Sequence, residues 1–309
     1  MTLSRRRFLE AGAVAGAAAA VTGAVGSAAA QASLTWLLPR SVFDNLNNTS
    51  LGGDPALCQR AFNQGTTWFS TVYNGAGPAT SSPIPSGYSG IGVLKFQAYK
   101  DTSSGLGLMD AISAGLPSWV KAVQYDSEHW SATPRLEQGA WLYNAYPKTS
   151  YAQQFCQAAH GRGLAVVLSP GNDLCNDFAN PAYPGSAPQY PLQSGEADYN
   201  AYVRYDLASA AKWLSAGDVY EYQAQPLELT PSTYKSVTAK VAAQVKTAKP
   251  GVIFLAGIGR TAMTWDKATC AQLSAAAASV KGTAAGFWPN VDASAVRVQP
   301  MICLLRSLV

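Results

Sequence analysis

Short apolar or alternating runs recur along the chain and are separated by longer segments with helical periodicity. Six clear runs and two more upstream of them read as strands: Leu34–Leu38, Trp68–Tyr73, Gly92–Tyr99, Val120–Glu128, Leu164–Ser169, Val219–Gln225, Val252–Ile258 and Thr283–Trp288. Four segments between them carry helix signals: Tyr151–Arg162, Tyr199–Ser215, Thr233–Ala248 and Lys267–Val280. Each of these segments stops at a glycine or at Pro250-Gly251, a common way for a helix to end. Strands that alternate with helices of this length predict βαβ units and a parallel sheet.

Two parallel architectures fit this order, an open doubly wound sheet and a closed (β/α)8 barrel. Eight strand-type runs favour the barrel, and the chain that follows residue 32 is close to the roughly 250 residues typical of that fold. We therefore expect a single α/β domain, a TIM-like (β/α)8 barrel, over residues 33–309. Segments rich in Gly, Pro, Asn and Ser predict long loops at about 40–89 and 173–198.

Three of the predicted strands carry polar residues where a strand of a parallel sheet is normally apolar. Residues two apart share a face of a strand. This parity groups Gln124 with Asp126 and Glu128, Glu221 with Gln223 and Gln225, and Lys95 with Gln97 and Tyr99. Because strands of a parallel barrel are covered on both sides, such rows need partners, water or a ligand. They predict a polar pit inside the barrel, although a buried ion-pair network without chemistry would give the same pattern.

The end of the Val120–Glu128 run is the strongest candidate for chemistry. A carboxyl at Asp126 shares its face with Glu128, and two neighbouring carboxyls push their pKa values apart, which suits one of them to act as a general acid. Glu221 is the candidate second carboxylate. Candidate binding residues are the aromatic Trp288, Trp130 and Tyr99, the polar Gln223 and Gln97, the loop residue Asp173 and the cation Arg260.

Composition removes several other classes of function. The formal net charge is +4, and Arg5, Arg6 and Arg7 all lie in the first ten residues, so no basic surface for nucleic acid is indicated. Two histidines and five cysteines make a histidine-rich metal site improbable, and no metal is expected. The stretch from Gly257 to Ala262 resembles a dinucleotide fingerprint but lacks the acidic residue about twenty positions later, so no cofactor is expected. The five cysteines allow at most two disulfides, whose pairing stays open.

The first 32 residues resemble a bacterial twin-arginine export signal. Arg5-Arg6-Arg7 precede a modestly apolar stretch from Ala11 to about Gly26, and small residues follow at Ser27–Ala30. We therefore expect the export machinery to be a partner of the precursor and the mature chain to be a secreted monomer. No later run is long enough for a membrane span.

The strand end Tyr125-Asp126-Ser127-Glu128, the inward Glu221 and Gln223, and Trp288 on the last strand together resemble secreted glycoside hydrolase barrels, above all the chitinase-type family eighteen. This resemblance implies that Glu128 protonates the glycosidic oxygen, that Asp126 assists it and that Trp288 floors a sugar subsite. The segment Tyr125–Gln138 also resembles secreted actinobacterial barrel proteins to which no activity is attached.

Three hypotheses follow for the function. The first is a glycosidase-like hydrolase acting on a polysaccharide or glycoconjugate, with Glu128 as proton donor, Asp126 as its modulator and Glu221 as base, nucleophile or electrostatic stabiliser. The second is an exported barrel that binds a carbohydrate or another small ligand without cleaving it. The third and weakest is a metal-assisted hydrolase that uses Asp126 and Asp173.

Overall fold

The computed structural model describes residues 34–63, 66–75, 81–101, 105–142, 150–179, 182, 192–259 and 268–309. The expected export signal and Arg260 lie outside the described residues. Residues 33–309 form one compact unit.

Eight parallel strands close into a barrel in which each strand pairs with its neighbours in chain order, which confirms the predicted (β/α)8 fold. The strands are β1 Thr35–Pro39, β2 Thr67–Val72, β3 Ile91–Phe96, β4 Ala122–Tyr125, β5 Ala165–Leu168, β6 Val219–Tyr222, β7 Ile253–Ile258 and β8 Gly286–Pro289. The ring is closed by β1 and β8, where Thr35 lies opposite Gly286 and Trp36 opposite Phe287. Every strand overlaps a run identified from the apolar pattern.

Ten α-helices are present among the described residues. They are α1 Arg40–Leu46, α2 Pro55–Phe62, α3 Leu108–Ala114, α4 Arg135–Gly139, α5 Tyr151–His160, α6 Cys175–Ala179, α7 Asp198–Arg204, α8 Pro231–Ala248, α9 Cys270–Ser279 and α10 Ala295–Leu308. Side-chain caps fix several of their starts: Asp54 accepts a hydrogen bond from the Leu57 N–H at 3.0 Å, and Ser150 accepts one from the Gln153 N–H at 3.1 Å.

Two parts of the predicted organisation need correction. The long loop expected at about 40–89 contains α1 and α2 besides the predicted strand β2, because the apolar residues of α1 and α2 pack on the barrel at helical spacing. The helix expected over Tyr199–Ser215 divides into α7 and a 3-10 helix at Leu207–Trp213. The break falls at Asp206, whose φ of +55° is incompatible with a continuous right-handed helix.

The barrel interior has an apolar lower part and a polar upper part. Inward side chains from all eight strands form a separate apolar cluster inside the barrel, made by Leu37, Trp68, Val93, Ala122, Val167, Val219, Leu255 and Trp288. Two residues further along β3, β4 and β6, the same inward face carries Lys95, Gln124 and Glu221. The polar layer therefore lies towards the carboxyl ends of the strands, the side on which barrel enzymes hold their active sites.

All five cysteines are described, and one disulfide joins Cys270 of α9 to Cys303 of α10. Cys58, Cys156 and Cys175 are buried free thiols. Among the described residues, no helix combines the length and the apolar character that a membrane span requires.

Candidate active site at the carboxyl ends of the strands

The site is built on an ion pair between neighbouring strands. Lys95 is the last inward residue of β3, and its Nζ donates to Asp126 Oδ2 at 2.7 Å. Asp126 follows β4 directly, and its backbone N–H still donates to the Phe96 carbonyl at 2.8 Å, so the sheet ladder fixes its position. Since Asp126 is only 2% exposed, the lysine supplies the charge that compensates this carboxylate inside the barrel.

One amide nitrogen bridges the two candidate carboxyls. Gln223 follows β6, and its Nε2 donates to Asp126 Oδ1 at 3.1 Å and to Glu128 Oε1 at 2.8 Å. The structure thus brings together Lys95, Asp126, Glu128 and Gln223 from β3, β4 and β6, as the parity of the three strands predicted.

Glu128 occupies a tight place against the loop that follows β5. A Cβ added to Gly171 would lie 2.8 Å from Glu128 Cγ and 2.6 Å from Asp173 Oδ1, so this close approach requires a glycine. The Gly171 N–H donates to the Ser127 carbonyl at 2.8 Å, which holds the two loops together. The backbone at Ser127 and at Gly171, next to the Glu128 side chain, is therefore held in place.

The ion pair and Glu128 face a cavity of about 980 Å³. Besides these groups, its wall includes Gln223, Gln225, Trp130 and Trp288, together with Arg40, Asp44, Ser70, Asn74, Asn290 and Asp292 from the ends of β1, β2 and β8. Trp288 is mostly buried in the barrel interior, whereas Trp130 is 38% exposed and donates from its indole N–H to Thr133 Oγ1 at 3.0 Å. The cavity combines apolar aromatic surface with polar groups, as ligand sites commonly do.

The two carboxyls that reach the cavity differ in their environment. The pKa of Glu128 is raised to about 8, first by burial and then by the charge of Asp126, while the hydrogen bond from Gln223 lowers it. At neutral pH Glu128 therefore carries a proton beside Asp126, which pairs with Lys95. One protonated and one charged carboxyl in contact with the same cavity is the arrangement that a general acid requires.

Glu221 lies in the same polar layer but is not among the described residues that line the cavity. It is fully buried, and the neighbouring Ser169 hydroxyl favours its charged form. Burial raises the pKa of Glu221 well above its usual value, and the charge of Asp126 acts in the same direction, so the site favours the protonated form of this carboxyl. In this position Glu221 has no access to a substrate in the cavity.

A smaller pocket of about 330 Å³ lies on the other side of Glu128 and Gln223. It is lined by Asp173, Asp198, Asn172 and Tyr199 among others. Asp173 accepts a hydrogen bond from the His129 N–H at 3.2 Å, and burial raises its pKa. The structure therefore places the predicted Asp173 next to Glu128 but outside the main cavity.

Two predicted binding residues lie elsewhere. Gln97 and Tyr99 follow the end of β3 at Phe96, and neither belongs to the described wall of the main cavity. The Tyr99 ring contacts the Tyr151 ring with centroids 6.1 Å apart. After Phe96 the backbone turns towards Glu137, which accepts a hydrogen bond from the Tyr99 N–H at 2.6 Å, so the parity that placed Lys95 correctly does not extend to these two residues.

A buried carboxyl behind β4 escaped the sequence analysis. Glu137 of α4 accepts hydrogen bonds from the Tyr99 N–H at 2.6 Å, the Lys100 N–H at 2.9 Å and the Tyr125 hydroxyl at 2.5 Å. It fixes the segment after β3 to the outer face of β4. No pattern in the short α4 segment distinguishes this glutamate from a solvent-exposed one.

Glu137 gives the stability of the protein a definite pH dependence. Burial raises its pKa from 4.5 to about 7, so the folded state favours the protonated carboxyl. Its contribution to stability is therefore greatest below about pH 4.5 and falls as the pH rises through 7. Between low pH and pH 8 the free energy of unfolding should therefore decline, and we expect Glu137→Gln to reduce this decline by up to about 3 kcal/mol. Urea unfolding between pH 5 and 8 measures the slope. Glu196→Gln, which changes a surface ion pair, should leave it intact, and an unchanged slope in Glu137→Gln would contradict the assignment.

The described residues contain no group of three or more His, Cys, Asp or Glu side chains arranged to hold a metal ion. His129 pairs through Nδ1 with the buried Asp177 at 2.7 Å, and His160 pairs through Nε2 with Asp218 at 2.8 Å. These two pairs are in separate parts of the fold, on the loop after β4 and just before β6.

Comparison with known proteins adds little to this geometry. No protein-family profile matches the chain, and no curated protein matches it. Among solved structures, Ttha1563 from Thermus thermophilus is similar with 14% sequence identity and a TM-score of 0.29. The similarity covers 66% of this chain and 50% of that one, so the chain spans about half the length of this neighbour. The chitinase-type resemblance has no support from these comparisons. Any inference about function therefore rests on the fold and on the geometry of the site.

Proposed function

We propose that this chain is a glycosidase-like hydrolase that cleaves glycosidic bonds of a polysaccharide or glycoconjugate. The observation that carries the proposal is the pairing of a protonated Glu128 with the ion-paired Asp126 at the wall of one cavity. The aromatic surfaces of Trp288 and Trp130 in the same wall suit the apolar face of a sugar ring.

In this mechanism Glu128 donates its proton to the glycosidic oxygen as the bond from that oxygen to the anomeric carbon breaks. The carboxylate of Asp126 stabilises the positive charge that develops on the sugar ring. Water then adds to the anomeric carbon and returns a proton to Glu128, which restores the starting state. Because Asp126 and Glu128 accept hydrogen bonds from the same Gln223 nitrogen, the charged and the protonated carboxyl are held side by side.

The proposal assigns Glu221 a different part from the one its sequence pattern suggested. Its carboxyl is fully buried and is not in the described wall of the cavity, which leaves Asp126 as the second catalytic carboxyl.

The pH dependence of activity follows from the proton on Glu128. Its pKa is raised to about 8, so we expect kcat/KM to stay level through neutral pH and to fall about tenfold per pH unit above 8. A pH series with the best substrate measures this limb. Loss of activity already near pH 5 would show that a carboxyl with an ordinary pKa is the donor and would contradict the role of Glu128.

The experiment that tests the function is a screen of the purified residues 33–309 against 4-nitrophenyl glycosides and polysaccharides, with release of nitrophenol or reducing ends as the readout. Hydrolysis by the wild-type protein that is lost in Glu128→Gln supports the proposal. Hydrolysis that persists in Glu128→Gln overturns it.

Carbohydrate binding without cleavage is the second candidate. It is favoured by the occupation of both Asp126 oxygens, one by Lys95 and the other by Gln223, which leaves Glu128 as the accessible carboxyl of this group. Oligosaccharides that quench tryptophan fluorescence with no product formed, equally in wild type and Glu128→Gln, would establish binding in place of hydrolysis.

We further propose that the protein acts outside the cell after removal of residues 1–32, as the paired arginines and small residues of that segment suggest. The mass of the protein recovered from the culture medium tests this: a species that starts near residue 33 supports export, and retention of the full chain inside the cell contradicts it.

A further inference from the structure

Gln225 is a buried polar residue of the main cavity that the mechanism does not use. It begins a 3-10 turn, Gln225–Leu227, just after β6, and its side chain lines the cavity while the residue is only 2% exposed. Its carbonyl oxygen Oε1 has no hydrogen-bond partner among the described residues. A buried amide oxygen without a donor costs about 1–3 kcal/mol, so its retention next to a cavity points to a donor that arrives with a ligand.

The position of this amide depends on a glycine of the adjacent strand. Gly257 belongs to the inward face of β7, on the same side as Ile253 and Leu255. A Cβ added to Gly257 would lie 2.1 Å from Gln225 Oε1, which is far inside van der Waals contact. Any side chain at residue 257 would therefore displace the amide from its present place.

The same glycine places the amide next to an aromatic wall. Gly257 lies directly opposite Trp288 in the β7–β8 register, and Trp288 also lines the cavity. The Gln225 amide and the Trp288 ring therefore come from adjacent positions of the barrel. Together they offer a polar hydrogen-bonding group beside an apolar surface.

We propose that Gln225, seated on Gly257 beside Trp288, forms a binding subsite for a hydroxyl group of a sugar ring that packs against Trp288. This inference rests on the proposed carbohydrate function and names the group that the cavity recognises. A pyranose presents an apolar C–H face with hydroxyl groups at its edge, which matches an aromatic wall with an amide at its side.

The subsite acts on selectivity and not on proton transfer. The hydrogen bonds of Asp126 and Glu128 go to Lys95 and Gln223, and none of them involves Gln225. A site built to bond a substrate hydroxyl discriminates against the analogue that lacks it, because the buried polar group then stays unpaired. We expect the wild-type protein to prefer an intact sugar over one of its monodeoxy analogues by about tenfold or more.

The test compares the 4-nitrophenyl glycoside that is hydrolysed fastest in the screen with its monodeoxy analogues. In Gln225→Met, which keeps the length of the side chain and removes the amide, the preference for one hydroxyl should fall to within about twofold. Loss of the amide should raise the KM for the intact sugar, while kcat and the alkaline pH limb stay unchanged. Gln157→Met, the same exchange at an exposed position of α5, should retain full discrimination. Discrimination that persists in Gln225→Met overturns the subsite.

Gly257→Ala provides a second approach that leaves Gln225 in place. The added methyl should displace the amide and reproduce the loss of selectivity, and thermal unfolding should show a lower Tm. In the double variant Gly257→Ala/Gln225→Ala the amide is absent, so the added methyl no longer displaces it. The Tm should then rise part of the way back to the wild-type value. If Gly257→Ala retains the wild-type preference, Gly257 does not determine the position of the Gln225 amide.

Failure of the catalytic proposal is separable from failure of the subsite. Quenching of tryptophan fluorescence by the methyl glycoside and its monodeoxy analogues measures the preference without turnover. If Glu128→Gln keeps hydrolytic activity, the catalytic assignment fails while this titration still decides the subsite. If Glu128→Gln is inactive and Gln225→Met binds all the analogues as the wild type does, the subsite alone fails.

Discussion

Replacement of Glu128 by glutamine is expected to reduce kcat/KM by about 100- to 10,000-fold, the range over which a positioned general acid accelerates a reaction. The amide keeps the shape of the side chain but carries no acidic proton. Glu128 packs closely against Gly171, so the nearly identical size of glutamine leaves the loop packing intact. The alkaline limb near pH 8 should disappear together with the activity.

Glu196→Gln is the matched control for this exchange. Glu196 pairs with Arg204 outside the described wall of the main cavity, so this exchange removes a glutamate charge away from the site. Its activity should equal that of the wild type, and both variants should unfold at similar urea concentrations. A Glu128→Gln protein that is folded and retains more than about a tenth of the wild-type kcat/KM would exclude Glu128 as the proton donor.

Loss of the lysine in the site should affect stability more than any surface change. Lys95→Met leaves the buried Asp126 carboxylate without its cation, and breaking a buried ion pair from one side destabilises a protein by about 3–5 kcal/mol. Urea unfolding at pH 7 measures the effect. Because Lys95 lowers the pKa of Glu128, the same variant should also move the alkaline limb of any remaining activity to higher pH.

A second substitution identifies the origin of that loss. In Lys95→Met/Asp126→Asn no charge is left unpaired, so we expect the double variant to regain a large part of the stability. Lys121→Met, at an exposed lysine just before β4, should change the free energy of unfolding by less than about 0.5 kcal/mol. If Lys95→Met is as stable as Lys121→Met, the ion pair does not hold Asp126 in place.

The fold could be predicted because each strand of a parallel barrel is covered on both sides and so appears as a short apolar run. Polar residues within those runs were informative for the same reason, since a covered face of a strand is normally apolar. Lys95, Asp126 and Glu221 are charged residue types on faces that a parallel barrel covers, and all three lie inside the barrel. Their grouping needed only the two-residue repeat of a strand, which local sequence specifies.

The two-residue repeat of a strand does not predict how deep a residue lies within the barrel or which path a loop takes. Parity puts Glu221 and Gln223 on one face, yet it does not tell which of them a substrate can reach, because that depends on the stagger between strands. Gln225 shares the same face, but its seat depends on Gly257, which is far from it in sequence. Glu137 meets its three donors only after the segments following β3 and β4 have packed together.

The pairing of β1 with β8 has a consequence for synthesis of the protein. On the side of β1 that faces away from β2, Thr35 and Trp36 pair with Gly286 and Phe287, and the final helix α10 then packs near α1 and α2. A nascent chain still attached to the ribosome before residue 286 has emerged therefore carries two unpaired sheet edges, on β1 and on β7. If export proceeds through the folded-state route that the N-terminus predicts, translocation must wait for translation to end.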